Sequence, residues 1–538
     1  MTSAPDKLPL NLRHLLWRME HVNASAEVAG AGSPGDDHAV RRRTFADTAG
    51  RIARLSSGLA RLGIGPGDTV CTLAWNTPEH FEALLAVPCM GATLNNINLR
   101  LPPDVLDDLV AEPSPSLVVV DAGLLGDGEL ARTSRTVIDR QARAGTPIAV
   151  IGDADVRAGL DLIGFEDLLD DPPTATLGGA DIAEDSTAFL FHSGGTTGRP
   201  KTYEVTHRAA LLHALSQATV DATGLSRGDR ALPLAPFFHV NGWGLPLTAA
   251  LTGTSLVLPG RDMGADRLAR LIRDERVTVA AGVPTIWHDV CAAVAADPGL
   301  RPRDLREVLS GGSPVPLSIV DDVRKLLGAS VATAWGMTET MACSTYEREA
   351  PQDSAGRPIP LVELRVRGEA GDAATRSRLG RLDVRGPFVV AEPTDPDGSW
   401  FSTGDIAVID AEGRLSLKDR EKDLIKSGGE WIASAVLEQH LCTHEGVASA
   451  AVVPTHHPRW IERPVAYVVL HPGSARRPDA EQLREHLARS VPRWWLPDCI
   501  HIVDELPRTS VGKIDKRAVR TQAHGQHTQS SGGHDDER

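Results

Sequence analysis

The stretch TAFLFHSGGTTGRPK, residues 187–201, decides how the fold of this chain is interpreted. Its apolar run, Ala188–Phe191, predicts a short buried strand. The strand leads directly into a loop of serine, glycine and threonine that ends at Lys201. Glycine lets a backbone approach a ligand closely, and backbone N–H groups, hydroxyls and a lysine charge all suit phosphate oxygens. The pattern therefore predicts a phosphate-binding loop, with a flexible surface turn as the alternative.

This loop differs from the common P-loop of GTPases and kinases. That P-loop needs glycine, lysine and serine or threonine in succession, whereas this chain has Gly198-Arg199-Pro200-Lys201. Pro200 has no backbone N–H to donate and is unfavourable inside a helix. The sequence thus excludes an ordinary P-loop GTPase or kinase.

The composition is that of a globular protein, with 538 residues, 41% hydrophobic and 24% charged, which is long enough for more than one domain. The net charge of −15 argues against general nucleic-acid binding. The six cysteines form no C-x-x-C pair, which predicts reduced core thiols in a cytoplasmic protein. We expect neither a signal peptide nor a membrane span, because no suitable apolar run is present.

Short aliphatic runs alternate with helical patterns through the first two thirds of the chain. Thr44 is predicted to cap a helix, the strand Val70–Trp75 follows, and a second helix covers residues 78–90. This alternation predicts α/β layers. Residues 356–400 instead alternate with period two and predict a smaller β-rich unit.

Three further stretches contain residues suited to ligand binding or catalysis. The segment PFFHVNGWG, residues 236–244, predicts a pocket wall, with a core histidine as the alternative for His239. Two predicted strands end in Gly311-Gly312-Ser313 and in Trp335-Gly336-Met337-Thr338-Glu339, and open α/β sheets carry their sites at such strand ends. A carboxylate such as Glu339 suits Mg²⁺ that bridges phosphates, although a glutamate at a helix start is also favourable by itself.

These motifs, in this order, resemble the acyl-adenylate-forming superfamily of acyl-CoA synthetases, peptide-synthetase adenylation domains and luciferases. The resemblance covers roughly residues 40–520 and includes FSTGD from Phe401, LKDREKDLIKSGGEW from Leu417 and PRTSVGKIDK from Pro507. It implies an α/β fold with a large N-terminal domain, residues 1–421, built from two α/β sheets and a small β-rich subdomain. A small mobile α+β lid, residues 422–520, would follow, and residues 521–538 are predicted to be a disordered tail.

The resemblance also implies a role for each matching residue. The phosphates of ATP would be held by Ser193, Gly194, Gly195, Thr196, Thr197, Gly198 and Lys201. The adenine would lie among Gly311, Gly312, Ser313, Trp335, Gly336 and Met337, and the ribose would bind Asp405 and Arg420. Lys422 would be the hinge, with Gly428 and Gly429 along the CoA channel. Thr338 would donate to the α-phosphate, Glu339 would hold Mg²⁺ and Lys513 would be the adenylation lysine. His239 would lie beside the substrate carboxylate, in a pocket with Asn241, Gly242, Trp243 and Val283.

The function that the resemblance implies is that of an acyl-CoA synthetase with ATP, Mg²⁺ and CoA as cosubstrates and cofactor. The PFFHVNGWG stretch resembles the medium- and long-chain fatty acyl branch and implies an apolar acid, fatty or bulky. Two alternatives stay open: an enzyme that stops at acyl-AMP or passes it to a carrier protein, and a non-catalytic nucleotide-binding relative. A homodimer is the default oligomer. Three departures from the family pattern are Gly194, the run Thr202-Tyr203-Glu204, and Trp335 in place of the commoner tyrosine.

Overall fold

The computed structural model describes residues 8–31, 40–126, 128–152, 161–170, 172, 182–193, 199–351, 353–368, 379–395, 397–428, 430–471, 477–508 and 514–530. These residues divide into two compact units. The first contains most of the chain up to residue 363 together with residues 385–392, and the second contains residues 364–384 and the chain from residue 393 onwards.

The first unit contains a nine-stranded sheet whose centre is parallel. Six central strands are parallel to one another, and the strands outside them at both edges are antiparallel. In spatial order the strands are Arg357–Pro358, Thr345–Arg348, Ser330–Ala334, Glu307–Gly311, Val279–Gly282, Arg230–Pro233, Ser255–Leu258, Glu27–Ala31 and Val40–Thr44. Its core contains the fully buried Trp287.

A second sheet in the same unit has seven strands. In spatial order they are Leu162–Gly164, Ile148–Ile151, Leu117–Asp121, Thr69–Leu73, Thr93–Asn96, Thr187–His192 and Thr202–Thr206. Only the last strand is antiparallel, because it returns directly from its neighbour as a hairpin. Both sheets bury continuous apolar strands such as Leu117–Asp121, as parallel sheets covered by helices do.

Helices connect these strands. They are Arg13–His21, Phe45–Arg61, Pro78–Cys89, Pro103–Ala111, Glu129–Arg143, His207–Gln217, Leu245–Thr252, Ala265–Asp274, Pro284–Ala296 and Leu317–Asp322, with a π-helical turn at Val323–Leu327 and short 3₁₀ turns at Ala122–Leu124, Glu166–Leu169, Pro298–Leu300 and Thr338–Thr340. The predicted cap at Thr44 is confirmed: its side chain accepts from the Asp47 N–H, and Asp47 bonds back to the Thr44 N–H.

The second unit contains two antiparallel-rich sheets. One has the strands Glu363–Arg367, Gly380–Arg385, Phe401–Ile409 and Leu415–Arg420; the other has Glu430–Ile432, Ile425–Ser427, Ile461–Leu470 and Val447–His457, with Cys499–Ile502 beside Ile461–Leu470. Its helices are Ser434–Leu441, Ala480–Ala488 and Lys516–Ser530, with 3₁₀ turns at Glu421–Asp423 and Arg493–Trp495.

The predicted α/β layering and β-rich segment are confirmed, but the start of the predicted tail differs. Residues 521–530, expected to be disordered from their polar composition, continue the helix Lys516–Ser530. Two contacts hold the start of that helix. Lys516 is paired with Glu438 at 2.8 Å, and Arg520 is paired with Asp423. A short polar segment becomes helical when its first turns are anchored by packing, which composition alone does not reveal.

An ion cluster around a buried glutamate joins four elements of the first unit. The Glu82 side chain is fully buried on the helix Pro78–Cys89. It accepts from Arg51 Nε at 2.7 Å and from Arg43 Nη1 at 3.0 Å. Arg51 also binds Glu166, whose side chain is largely exposed, at 2.7 Å. The cluster therefore combines one desolvated carboxylate with one solvated carboxylate on the same guanidinium.

We expect Glu82→Ala to destabilise the protein by about 3 kcal/mol, because it removes the buried carboxylate that Arg43 and Arg51 share. Urea unfolding of the full chain, followed by tryptophan fluorescence, measures the effect. Glu166→Ala is the matched control: it removes an exposed partner of the same Arg51 and should cost at most about 1 kcal/mol. Equal losses in the two variants would contradict the buried role of Glu82.

Candidate active site

The predicted phosphate loop is the tip of a β-hairpin. Its strands are Thr187–His192 and Thr202–Thr206, and we refer to them with the residues between them as the phosphate-loop hairpin. At its neck the Ser193 N–H donates to the Lys201 carbonyl at 2.9 Å, and the Lys201 N–H donates to Ser193 Oγ at 3.4 Å. The predicted ligands Gly194, Gly195, Thr196, Thr197 and Gly198 lie outside the described residues, so their role stays a prediction.

His192 fixes the base of this hairpin. Its Nε2 lies 2.7 Å from Asn95 Oδ1, and its Nδ1 lies 3.1 Å from Thr202 Oγ1. An amide oxygen only accepts, so the proton is assigned to Nε2 and Nδ1 accepts from the Thr202 hydroxyl. Burial lowers the pKa of His192 to about 4. The neutral ring therefore joins the hairpin to the neighbouring strand Thr93–Asn96.

The predicted adenine segment starts at the end of the strand Glu307–Gly311. A Cβ on Gly311 would come within 2.9 Å of the Ala334 carbonyl oxygen and 3.8 Å of the Trp243 ring. The sequence predictions of an adenine loop and an acyl-pocket wall therefore meet at this glycine. Gly312 and Ser313, the next two residues, are exposed.

Residues 335–344 form a tight connection between two neighbouring strands, which we call the Trp335 loop. Trp335 itself is buried, and its N–H donates to Thr345 Oγ1 at 2.9 Å. At Gly336 a Cβ would lie 1.0 Å from the Ala342 carbonyl oxygen, so no other residue fits the observed backbone. The predicted residues Met337, Thr338 and Glu339 follow, and all three are half-buried.

The Glu339 carboxylate contacts a residue that sequence reasoning did not assign to the site. The Tyr203 hydroxyl donates to Glu339 Oε1 at 2.9 Å. Tyr203 stood out in the sequence only as a departure from the family pattern. Burial and the neighbouring Glu339 charge raise the pKa of the Tyr203 phenol, so it keeps its proton.

The predicted acyl-pocket wall contains a left-handed turn at residues 240–244. The φ angles are 47° at Val240, 49° at Asn241, 60° at Gly242, 60° at Trp243 and 77° at Gly244. A left-handed conformation costs an ordinary residue roughly 1–2 kcal/mol, so surrounding contacts must hold the turn. Gln217 Nε2 donates to the Trp243 carbonyl at 2.9 Å, and the Trp243 N–H donates to the His239 carbonyl at 3.3 Å.

A buried network of hydrogen-bonded side chains also contacts this turn. Asn96 Nδ2 donates to Asn241 Oδ1 at 3.0 Å, and Asn96 Oδ1 accepts from Thr72 Oγ1 at 2.8 Å. His80 Nε2 lies 3.1 Å from both Thr72 Oγ1 and Asn96 Oδ1. The sequence did not predict this network, because its residues come from separate helices and strands.

The other two predicted pocket residues follow the ends of two neighbouring strands of the nine-stranded sheet, Arg230–Pro233 and Val279–Gly282. His239 is half-buried, with its ring 4.8 Å from the Phe238 ring. Val283 is half-buried between the strand Val279–Gly282 and the helix Pro284–Ala296.

In the second unit, the two predicted ribose ligands lie opposite each other on neighbouring antiparallel strands. Asp405 lies opposite Arg420, and Arg420 Nε lies 2.7 Å from Asp405 Oδ1. The Asp405 N–H donates to Thr403 Oγ1 at 3.1 Å. A buried carboxylate fixed by a guanidinium is a suitable acceptor for hydroxyl groups.

The remaining predictions concern the hinge and lid. Lys422 lies in the 3₁₀ turn Glu421–Asp423, and its carbonyl accepts from Arg520 at 3.1 Å. Gly428 lies at the exposed turn after the strand Ile425–Ser427. Gly429 and Lys513 lie outside the described residues, so their roles stay predictions.

The donor set around Glu339 fits Mg²⁺ that is bound mainly by phosphate and water. Among the described residues no group of three or more histidine, cysteine, aspartate or glutamate side chains could hold a metal by itself. A single carboxylate is the usual protein contribution where Mg²⁺ keeps its waters and bridges phosphates. Glu339 provides such an oxygen, because only its Oε1 accepts from Tyr203.

Family comparisons agree with this arrangement. The family model described as AMP-binding enzyme matches residues 26–392, and the AMP-binding enzyme C-terminal domain matches residues 436–513. The chain belongs to the AMP-binding enzyme family. The long-chain-fatty-acid–CoA ligase of Thermus thermophilus is 37% identical over 95% of both chains. The medium-chain-fatty-acid–CoA ligase of Ectopseudomonas oleovorans is 33% identical over 93% of this chain and 94% of its own. The resemblance inferred from the motifs is thus confirmed.

Solved structures of this family share the fold. An anthranilate CoA ligase in complex with anthranoyl-AMP has a TM-score of 0.81 at 23% identity and covers 96% of this chain and 98% of its own. The o-succinylbenzoate CoA synthetase of Bacillus subtilis has a TM-score of 0.76 at 24% identity and covers 94% of this chain and 97% of its own. The predicted fold class is confirmed. No helix in the described ranges is long and apolar enough to cross a membrane.

We expect Gly336→Ala to destabilise the protein by about 3 kcal/mol or more, because the added methyl would overlap the Ala342 carbonyl oxygen and such overpacking distorts the backbone. Chemical unfolding of the full chain measures the loss. Gly50→Ala is the matched control, since nothing lies within 4 Å of its added Cβ and alanine favours the interior of its helix. A Gly336→Ala variant as stable as the wild type would show that the loop rearranges without cost.

We expect His192 to make stability pH-dependent. Its pKa is about 4 in the folded protein and about 6.5 in an unfolded chain. The neutral ring therefore stabilises the fold fully above pH 6.5, and this contribution is lost as the pH falls towards 4. Between pH 7 and 5 the free energy of unfolding should fall by about 2 kcal/mol more in the wild type than in His192→Gln.

Urea unfolding at the two pH values tests this difference. The control is His288→Gln, which removes a histidine whose side chain is 57% exposed. An equal pH dependence in the wild type and His192→Gln would contradict the buried neutral state of His192.

Proposed function

We propose that this protein is an AMP-forming acyl-CoA synthetase that uses ATP to convert an apolar carboxylic acid into acyl-AMP and pyrophosphate, and then transfers the acyl group to CoA. The observation that carries this proposal is the full-length similarity to two fatty-acid–CoA ligases, at 37% and 33% identity. The 3-methylmercaptopropionyl-CoA ligase of Ruegeria pomeroyi, at 33% identity over 96% of this chain, extends the range of acids in these relatives.

The proposed site residues contribute positive charge, hydrogen-bond donors and groups that position the nucleotide. A carboxylate attacks the α-phosphorus of ATP and pyrophosphate leaves in line, so negative charge has to be stabilised rather than created. Bound Mg²⁺ neutralises phosphate charge when present. Glu339 provides an oxygen for it, Thr338 provides a hydroxyl for the α-phosphate, and Lys201 and Lys513 provide positive charge. Asp405 and Arg420 bind the ribose hydroxyls.

The family's domain organisation completes the proposal. Residues 1–421 bind ATP and the acid, residues 422–520 form the lid, and Lys422 is the hinge between the two half-reactions. In the second half-reaction Gly428 and Gly429 line the path of the CoA thiol, which displaces AMP from the activated carbonyl. The change of domain arrangement separates the two steps in time.

An apolar acid suits the predicted pocket. Trp243 and Val283 contribute apolar surface, and His239 and Asn241 are polar residues next to Trp243 in the sequence. Pockets of this composition bind the apolar body of a ligand and orient it through a few polar groups. We therefore propose a fatty or bulky acid rather than a short polar one.

The cellular setting follows from the thiols. Four of the six cysteines are buried as free thiols: Cys71, Cys89, Cys291 and Cys343. Free buried thiols are typical of a reducing compartment, so we propose a cytoplasmic enzyme. A homodimer is the expected oligomer, and light scattering on the purified protein determines it.

Mass spectrometry of reaction products tests the function. The purified enzyme is incubated with ATP, Mg²⁺ and a panel of fatty, aromatic and short acids, each with and without CoA. Formation of acyl-CoA from an apolar acid supports the proposal. Acyl-AMP that accumulates whether or not CoA is present would contradict it and favour transfer to a carrier protein or a partner enzyme. A protein that catalyses no pyrophosphate exchange would be a non-catalytic relative.

We expect Lys513→Ala to lower the rate of adenylate formation by about 10²–10³-fold, which is typical for the loss of one charge-stabilising group. Transfer from chemically synthesised acyl-AMP to CoA should stay within a few fold of the wild type, because that step needs no charge on the α-phosphate. The control is Lys325→Ala, the loss of an exposed lysine on the first unit, which should alter neither rate. Equal losses in both half-reactions would contradict the assignment of Lys513.

A further inference from the structure

Tyr203 occupies a distinctive position next to the phosphate loop. It lies two residues after Lys201 on the returning strand of the phosphate-loop hairpin, opposite Phe191. Its hydroxyl donates to Glu339 Oε1 at 2.9 Å. One phenol thus joins the seven-stranded sheet, which carries the phosphate loop, to the nine-stranded sheet, which carries the candidate Mg²⁺ ligand.

The backbone of Glu339 is fixed independently of its side chain. Its carbonyl accepts from the Val390 N–H at 2.9 Å. The carboxylate forms no ion pair with any described residue, and its Oε1 accepts from a neutral phenol. A half-buried carboxylate with no cationic partner among the described residues is suited to bind a cation.

A second tyrosine in the chain shows what a purely structural bond looks like. Tyr346 also donates to a glutamate, Glu307, but that glutamate is almost fully buried and is paired with Arg348 at 2.6 Å. Its charge is therefore already neutralised inside the protein. The Tyr203–Glu339 pair lacks this neutralisation, so the two bonds differ in what they leave for a ligand.

The geometry points to Tyr203 as a positioning residue that orients the Glu339 carboxylate for Mg²⁺ bound to ATP. The phenol holds Oε1 and leaves Oε2 for the metal, so the carboxylate does not have to be immobilised when MgATP arrives. This inference deepens the proposed function and rests on it. It also gives a reason for one departure from the family pattern, because a small apolar residue at position 203 could not make this bond.

Binding of ATP and AMP to the full-length protein tests the role without turnover. Isothermal titration calorimetry measures the affinity for ATP with Mg²⁺ and with EDTA, and the ratio of the two affinities is the metal enhancement. We expect Tyr203→Phe to reduce this enhancement about tenfold, which is typical for a lost hydrogen bond to a charged group. Its affinity for AMP in EDTA should equal that of the wild type.

Tyr346→Phe is the matched control, because it removes the same hydroxyl from a tyrosine–glutamate pair outside the phosphate site. It should lower the unfolding temperature and leave the metal enhancement unchanged. In Glu339→Gln the enhancement should be lost already, and adding Tyr203→Phe should reduce it no further, since the two residues act on one metal ion.

Two kinds of failure are distinguishable. An unchanged or larger metal enhancement in Tyr203→Phe, or an equal loss in Tyr346→Phe, would overturn the positioning role of Tyr203. Independent, additive losses in the double variant would overturn it as well. Absence of any ATP binding by the wild type would contradict the proposed function itself.

Discussion

The candidate site depends on the close approach of the Gly336 backbone to the Ala342 carbonyl oxygen, where a Cβ would lie only 1.0 Å away. This contact folds the Trp335 loop back on itself directly after a parallel strand. Glu339 consequently points towards the hairpin that carries the phosphate loop, where Tyr203 meets it at 2.9 Å. The Trp335 loop follows the end of a parallel strand, where open α/β sheets carry their sites. It can turn back sharply because position 336 has no side chain.

Much of the fold follows from local patterns in the sequence. The apolar run after Thr187, the period-two segment around residue 363 and the cap at Thr44 all form the predicted elements. These features are local, because hydrophobic period and capping chemistry operate within a few residues. The family motifs also predicted part of the candidate site. Asp405 and Arg420, which the resemblance assigned together to the ribose, form an ion pair in the structure.

What the sequence left open depends on long-range contacts. The bond between Tyr203 and Glu339 joins residues 136 positions apart, and no periodicity signals such a partner. The same applies to His192 with Asn95 and to the helix Lys516–Ser530, which is anchored through Glu438. The left-handed turn was also not predicted, because Val240 and Trp243 ordinarily avoid positive φ and only the surrounding hydrogen bonds hold them there.

That left-handed turn limits how the acid preference of this enzyme could be altered by design. Trp243 is one of the residues proposed to line the acyl pocket, and its backbone has a φ of 60°. Glycine and asparagine tolerate this conformation, whereas valine or isoleucine would be strained. A combinatorial library at this position would therefore be enriched in small or amide side chains for reasons of folding, before any selection for catalysis. Smaller side chains at this position are compatible with the backbone, whereas β-branched residues there would add backbone strain.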